Sequence, residues 1–87
     1  MLYTVLIHPS AVKNLARIPR RDQLRIRTAI DSLARAPRPQ GVVKLAGIDD
    51  LYRIRVGDYR VVYQIQDRRL VVLDIRIAHR REVYRRL

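Results

Sequence analysis

Cysteine is absent from this 87-residue chain. No disulfide can brace the fold, and neither a thiolate nucleophile nor a thiolate zinc site can be built. That composition fits a reducing cytoplasm, which is the expected location. Acidic residues are scarce, eight against nineteen basic ones, and they form no paired set of the kind that holds two magnesium ions. His8 and His79 are far apart and lack a third ligand for zinc. No metal and no cofactor are therefore expected. There is no glycine-rich phosphate loop, and no serine lies beside a base and an orienting acid. Long apolar runs are missing as well. Leu2 to Ile7 is too short for a signal-peptide core and ends at His8-Pro9, and no stretch approaches a membrane span. Repeats, low-complexity segments and linkers are not seen.

Hydrophobic residues make up 48% of the chain, enough for a packed core despite the charge. The length suits one small domain over residues 1–87. The net charge is +11, and only Lys13 and Lys44 are lysines, so the cations are almost all arginine. Arginine prevails where planar, bidentate contact with phosphate or carboxylate matters. The excess is spread along the chain, with nine basic and four acidic residues in 1–50 and ten and four in 51–87. Nucleic acid is the partner this charge favours, with acidic protein as its competitor.

Leu2 to His8 reads as a short strand. Pro9-Ser10 opens a helix whose apolar stripe is Val12, Leu15, Ala16 and Ile18, ended by Pro19. A second helix runs from Arg21 to Arg35, with Ile26, Ala29, Ile30 and Leu33 inward and Arg25, Thr28, Ser32 and Arg35 outward. Residues 40–50 form a loop or short strand, two paired strands follow, and a last strand covers Leu70 to Ala78 after a tight loop at Asp67-Arg68-Arg69. A helical turn or two closes the chain from Arg80 to Leu87. The order is β-α-α-β-β-β, an α+β domain with a helical hairpin on one face of a mainly antiparallel sheet.

Residues 51 to 64 carry the most information. Gly57-Asp58 suits a two-residue type I′ hairpin turn, which pairs Val56 with Tyr59, Arg55 with Arg60, Ile54 with Val61 and Arg53 with Val62. Side chains alternate along a strand, so Arg53, Arg55 and Arg60 share one face. Like charges placed opposite each other weaken a sheet, and a fold that tolerates Arg55 against Arg60 uses the pair to hold an anion. For the last strand, pairing Gln66 with Leu70 and Tyr63 with Leu73 keeps Val61, Tyr63, Ile65, Val71, Leu73, Ile75 and Ile77 on one buried face. A slip of one residue would push Asp74 into the core. In that register the other face displays Arg53, Arg55, Arg60, Asp74 and Arg76.

His79 and Tyr84 lie just beyond the last strand, within reach of that face. Histidine titrates near neutrality, and surrounding arginines disfavour its protonated form, as a general base requires. Guanidinium groups beside Tyr84 would stabilise its tyrosinate. A metal-free set of arginines with one titratable group suits RNA self-cleavage, because the 2′-hydroxyl of the substrate supplies the nucleophile.

The run Lys44-Leu45-Ala46-Gly47, the segment from Leu51 to Tyr63, and Ala78-His79-Arg80-Arg81-Glu82-Val83-Tyr84 together resemble the RelE branch of the RelE/ParE toxin superfamily. The resemblance covers nearly the whole chain. It implies the toxin of a bacterial or archaeal type II toxin–antitoxin pair, a hydrolase that acts as a ribosome-dependent, metal-independent mRNA endoribonuclease. Such an enzyme cuts in the decoding site, leaves a 2′,3′-cyclic phosphate and inhibits translation. By motif position, Arg53 and Arg55 bind the substrate backbone, Arg60 stabilises the phosphate under attack, Arg80 assists the leaving group and Tyr84 acts as general base. Arginine's high pKa makes charge stabilisation the better role for Arg80. His79 is the alternative proton-transfer residue, and Lys44 and Arg76 complete the expected RNA-binding set. The implied partners are an acidic antitoxin, mRNA on the ribosome, and operator DNA only through the antitoxin. Two other readings remain: a ParE-like inhibitor of DNA gyrase without nuclease chemistry, and a non-catalytic RNA- or ribosome-binding module.

Overall fold

The computed structural model describes residues 2–45, 47 and 50–79, apart from the side chain of Ile75. The expected closing helical segment, with Arg80 and Tyr84, lies outside the described residues. In chain order the elements are β1 (Thr4–Ile7), α1 (Pro9–Ala16), α2 (Arg20–Ser32), β2 (Val43–Lys44), β3 (Leu51–Val56), β4 (Tyr59–Gln66), a 3-10 turn (Asp67–Arg69) and β5 (Val71–His79). The sheet has five strands in the order β1-β5-β4-β3-β2, and only the β1–β5 pair is parallel. This is the expected α+β fold, extended by the two-residue edge strand β2.

Local chemistry starts and stops the helices. Proline at the first position of α1 forfeits no hydrogen bond, and the Ser10 N–H donates to Nδ1 of the capping His8 at 3.1 Å. Pro19 precedes α2, and Gln23 Nε2 donates back to the Ile18 carbonyl at 2.8 Å, closing the turn between the helices. In α2 the buried residues are those expected, Ile26, Ile30 and Leu33. The stripe of α1 is rotated from the expected one. Ala11, Leu15 and Ile18 are buried, whereas Val12 is 51% exposed and Ala16 is exposed. Positions 11, 15 and 18 stack on one helix face, and the small Ala11 lets that face approach the sheet.

The core lies between the helices and the inner face of the sheet. Tyr52 and Tyr63 stack there with ring centroids 6.1 Å apart, and the buried Tyr63 hydroxyl donates to the Pro37 carbonyl at 2.7 Å. The linker after α2 is held from a second side. Arg38 donates to both carboxylate oxygens of Asp67, at 3.3 and 2.8 Å, and through Nε to the Tyr52 hydroxyl at 3.3 Å. The Tyr3 hydroxyl also donates to Asp67, at 2.7 Å. The Arg38 bonds, with help from Tyr3, hold the Asp67 carboxyl below the usual carboxylate range.

Two expectations about the sheet are corrected. At the β3–β4 turn the register is as expected, with Arg55 opposite Arg60. Only Gly57 has positive φ, at 60°, and Asp58 does not, which is the pattern of a type II′ rather than a type I′ turn. The β4–β5 register also differs. Gln66 pairs with Val71 and Tyr63 with Asp74, then a bulge shifts the ladder so that Val62 pairs with Arg76 and Val61 with Ile77. The residue left over is Ile75. One extra residue reverses the parity of the strand, so Val72 and Ile77 both turn toward the helices and are buried. Val71 and Leu73 fall on the outer face, half-buried. Asp74 takes the inward position and is fully buried. The expected register is off by one residue from the start of β5, because Leu70 belongs to the turn and Gln66 pairs with Val71. The bulge at Ile75 restores the expected parity for Arg76 and Ile77.

No helix among the described residues is long and apolar enough to cross a membrane.

Candidate functional site

Ladder partners point to the same side of a sheet, so the pairings map the outer face residue by residue. At the hairpin end, one row runs across three strands as Ala78, Arg60 and Arg55. The next runs across four as Arg76, Val62, Arg53 and Val43. Two residues along a strand span roughly 7 Å, which sets the separation of the rows. Four guanidinium groups thus fall within two adjacent rows. Val62 stands between Arg76 and Arg53, Ala78 beside Arg60 and Val43 beside Arg53, and no bulky residue among those described divides the patch.

The structure alters the setting of these arginines in three respects. Because the register that starts at Gln66–Val71 turns Asp74 inward, the described residues on this face include no carboxylate. Arg60, expected to stand exposed, is only 8% exposed and lies on the central strand between Arg55 and Ala78, as the floor of the patch. Arg55 is exposed, and its Nε donates to the Gly57 carbonyl at 3.4 Å, drawing it toward the hairpin tip. Arg53 and Arg76 are half-buried. The Nε of Arg76 is buried with no hydrogen-bond partner among the described residues. Buried guanidinium N–H groups are costly to leave without an acceptor, and an anion oxygen would supply one.

Two candidates fall elsewhere. Lys44 pairs with Tyr52, so it sits on the helix side of the sheet edge, away from the arginine rows. His79 is the last residue of β5 and pairs with Tyr59, also on the helix side. Its ring meets the Tyr59 ring edge-on at 5.6 Å, in a cleft of about 210 Å³ lined by Asn14, Arg17, Ile18, Tyr59, Ile77 and Ala78. The expectation that His79 joins the arginine face is corrected because β5 extends through it, and His79 shares the parity of Ile77, which faces the helices. In this cleft Asn14 has a role that sequence reading missed. Its Oδ1 accepts from the Ile77 N–H at 3.1 Å and so ties α1 to the part of β5 that lies beyond the end of β1.

A helical hairpin on one side of a five-stranded sheet, with clustered arginines on the other, defines a small basic α+β domain. Residues 5–84 match the family described as ParE toxin of type II toxin-antitoxin system, parDE, and the chain belongs to that family. Within the RelE/ParE superfamily its likeness is to the RelE branch. It is 31% identical to Toxin RelG of Mycobacterium tuberculosis, over 99% of this chain and all of that one. The crystal structure of the archaeal RelE-RelB complex from Pyrococcus horikoshii includes a chain that superposes with a TM-score of 0.83 and 35% identity, covering 95% of this chain and 100% of that one. The isolated E. coli RelE toxin superposes with a TM-score of 0.78 and 28% identity, covering 95% and 92%.

Proposed function

We propose that this type II toxin is a ribosome-dependent mRNA endoribonuclease, and the observation that carries the reading is the two-row arginine patch. Single-stranded RNA lies across the outer face with its backbone on Arg53, Arg55 and Arg76. Arg60, on the floor of the patch, takes the phosphate under attack. The 2′-hydroxyl adjoining that phosphate is the nucleophile, and the new P–O bond closes a 2′,3′-cyclic phosphate while the 5′-oxygen leaves. The arginines stabilise the negative charge that grows on the phosphate oxygens in this step. No metal is required, since substrate and protein between them supply nucleophile and countercharge.

With His79 on the helix side, proton removal is assigned to Tyr84, by the resemblance of Arg80-Arg81-Glu82-Val83-Tyr84 to the family motif. Arg80 stabilises the leaving oxygen. An acidic antitoxin is the matching protein partner, because a segment rich in carboxylates can fold onto this surface. The solved relative from P. horikoshii is a toxin bound to its RelB partner, which supports that assignment. Contact with operator DNA would come through the antitoxin.

The family match keeps a second reading in play, inhibition of DNA gyrase on the same fold. Toe-printing of mRNA on programmed ribosomes separates the two. Cuts in the decoding site support the ribonuclease, whereas intact mRNA with inhibited gyrase supports the alternative. A 2′-deoxy nucleotide at the scissile position must abolish cutting if the 2′-hydroxyl is the nucleophile.

A further inference from the structure

Beside the arginine rows the outer face changes character. The next row crosses four strands as Leu6, Leu73, Gln64 and Leu51. Leu6 is 49% exposed, and the other three are half-buried. A single carboxamide therefore stands between leucines on neighbouring strands, in the row adjoining Arg76 and Arg53. Gln66 follows on the same face, and its Nε2 donates to Gln64 Oε1 at 2.8 Å. That bond orients the Gln64 carboxamide and uses part of its accepting capacity, while the Nε2 hydrogens of Gln64 have no acceptor among the described residues.

Apolar surface beside one oriented amide suits an unpaired nucleobase, whose face packs on the one by burial of apolar area and whose edge is read by the other. We propose that the Leu73–Gln64–Leu51 row is a base-reading platform. The base adjoining a phosphate held by Arg53 and Arg76 lies over the leucines, and Gln64, held by Gln66, sets preference at that one position. Backbone contacts carry affinity without sequence, and base-edge contacts carry discrimination. The row spacing of roughly 7 Å puts the platform next to the phosphate-binding rows. The inference rests on the RNA-directed reading above and adds a specificity residue to it.

The test compares wild type with Gln64→Leu, which keeps an apolar row and removes the amide, and with Gln66→Ala, which frees the amide to rotate. Each is given ribosome-bound mRNAs carrying all four bases at every position of the decoding-site codon. Wild type is expected to discriminate about tenfold or more at one position. Gln64→Leu should flatten that preference to within about threefold while still cutting, and Gln66→Ala should fall between. An identical base profile in wild type and Gln64→Leu overturns the proposal, as does the absence of any preference in wild type. If wild type cuts no mRNA, the ribonuclease reading fails separately. The platform is then decided by binding of short single-stranded RNAs with each base at each position, where a Gln64-dependent preference supports it and equal profiles overturn it. Altered affinity for antitoxin alone, with RNA profiles unchanged, also overturns it.

Discussion

Asp74 pairs with Tyr63 across the β4–β5 ladder, immediately beside the bulge, and both residues are fully buried. Neither carboxylate oxygen of Asp74 has a hydrogen-bond partner among the described residues. Burial first, and the charge of Asp31 second, push its carboxyl up to about 7, from 3.8. The folded state therefore holds this proton more tightly than the unfolded chain does. Its contribution to stability is complete below about pH 4 and is lost as pH rises through about 7. The loss is at most roughly 4 kcal/mol, at 1.36 kcal/mol for each unit of difference. Asp74→Asn should raise stability at pH 8 and flatten the profile between pH 4 and 7. Urea denaturation at pH 5 and pH 8 measures both, and parallel profiles for variant and wild type would refute the account.

Arg55 faces Arg60 directly, and the repulsion between them opposes folding. Arg55→Thr should stabilise the free protein by about 0.2–1 kcal/mol, the usual scale of a cross-strand pair. The same variant should bind RNA more weakly. Thermal unfolding and RNA affinity, measured on one preparation, should move in opposite directions.

Arg60→Ala should lower single-turnover cleavage on ribosomes by about a hundredfold or more, the scale of removing a group that stabilises a developing oxyanion. Because Arg60 is buried, its fold is to be checked by circular dichroism, and Arg60→Lys should restore part of the rate by returning the charge. Near-wild-type cleavage by a folded Arg60→Ala would remove Arg60 from the mechanism.

Four arginines engaging phosphates predict a steep response to salt. For single-stranded RNA the logarithm of affinity should fall with the logarithm of salt concentration at a slope of about −3. Arg53→Ala or Arg76→Ala should each make that slope shallower by somewhat less than one. A slope near zero would mean that the patch does not grip a backbone.

Asn14→Ala removes the acceptor of the Ile77 N–H and should cost about 1 kcal/mol. Asn14→Asp keeps an acceptor and should cost less. Hydrogen exchange at the Ile77 amide reports the effect locally, and unchanged protection in Asn14→Ala would show that the tie is not formed.

The helices and the β3–β4 hairpin were legible because their signals are local. Pro9, Pro19 and Pro37 punctuate the helices, α2 repeats its apolar residues at helical spacing, and Gly57-Asp58 fixes the pairing of Arg55 with Arg60. The register of β5 was not legible. Val71, Val72, Leu73, Ile75 and Ile77 offer apolar residues at both parities, so composition alone cannot choose which of them face inward. His79 was misplaced for a different reason: the strand was read as ending at Ala78, whereas β5 continues through His79 and fixes it on the side of Ile77. Lys44 was misplaced because pairing of β2 at its two positions shows only in three dimensions.

The order of residues in β3 and β4 was enough to put three arginines on one face, because a two-residue turn and a period of two leave no other arrangement. Tertiary structure decided what surrounds them. β5 must pair with β1 on one side and β4 on the other while burying Val72 and Ile77, and a single inserted residue reconciles those demands. An offset of one residue at the Gln66–Val71 end turns Asp74 into the core, and the insertion then returns Arg76 to the outer face and Ile77 to the inner one. The arginines therefore share the outer face with leucines and carboxamides instead of an acid.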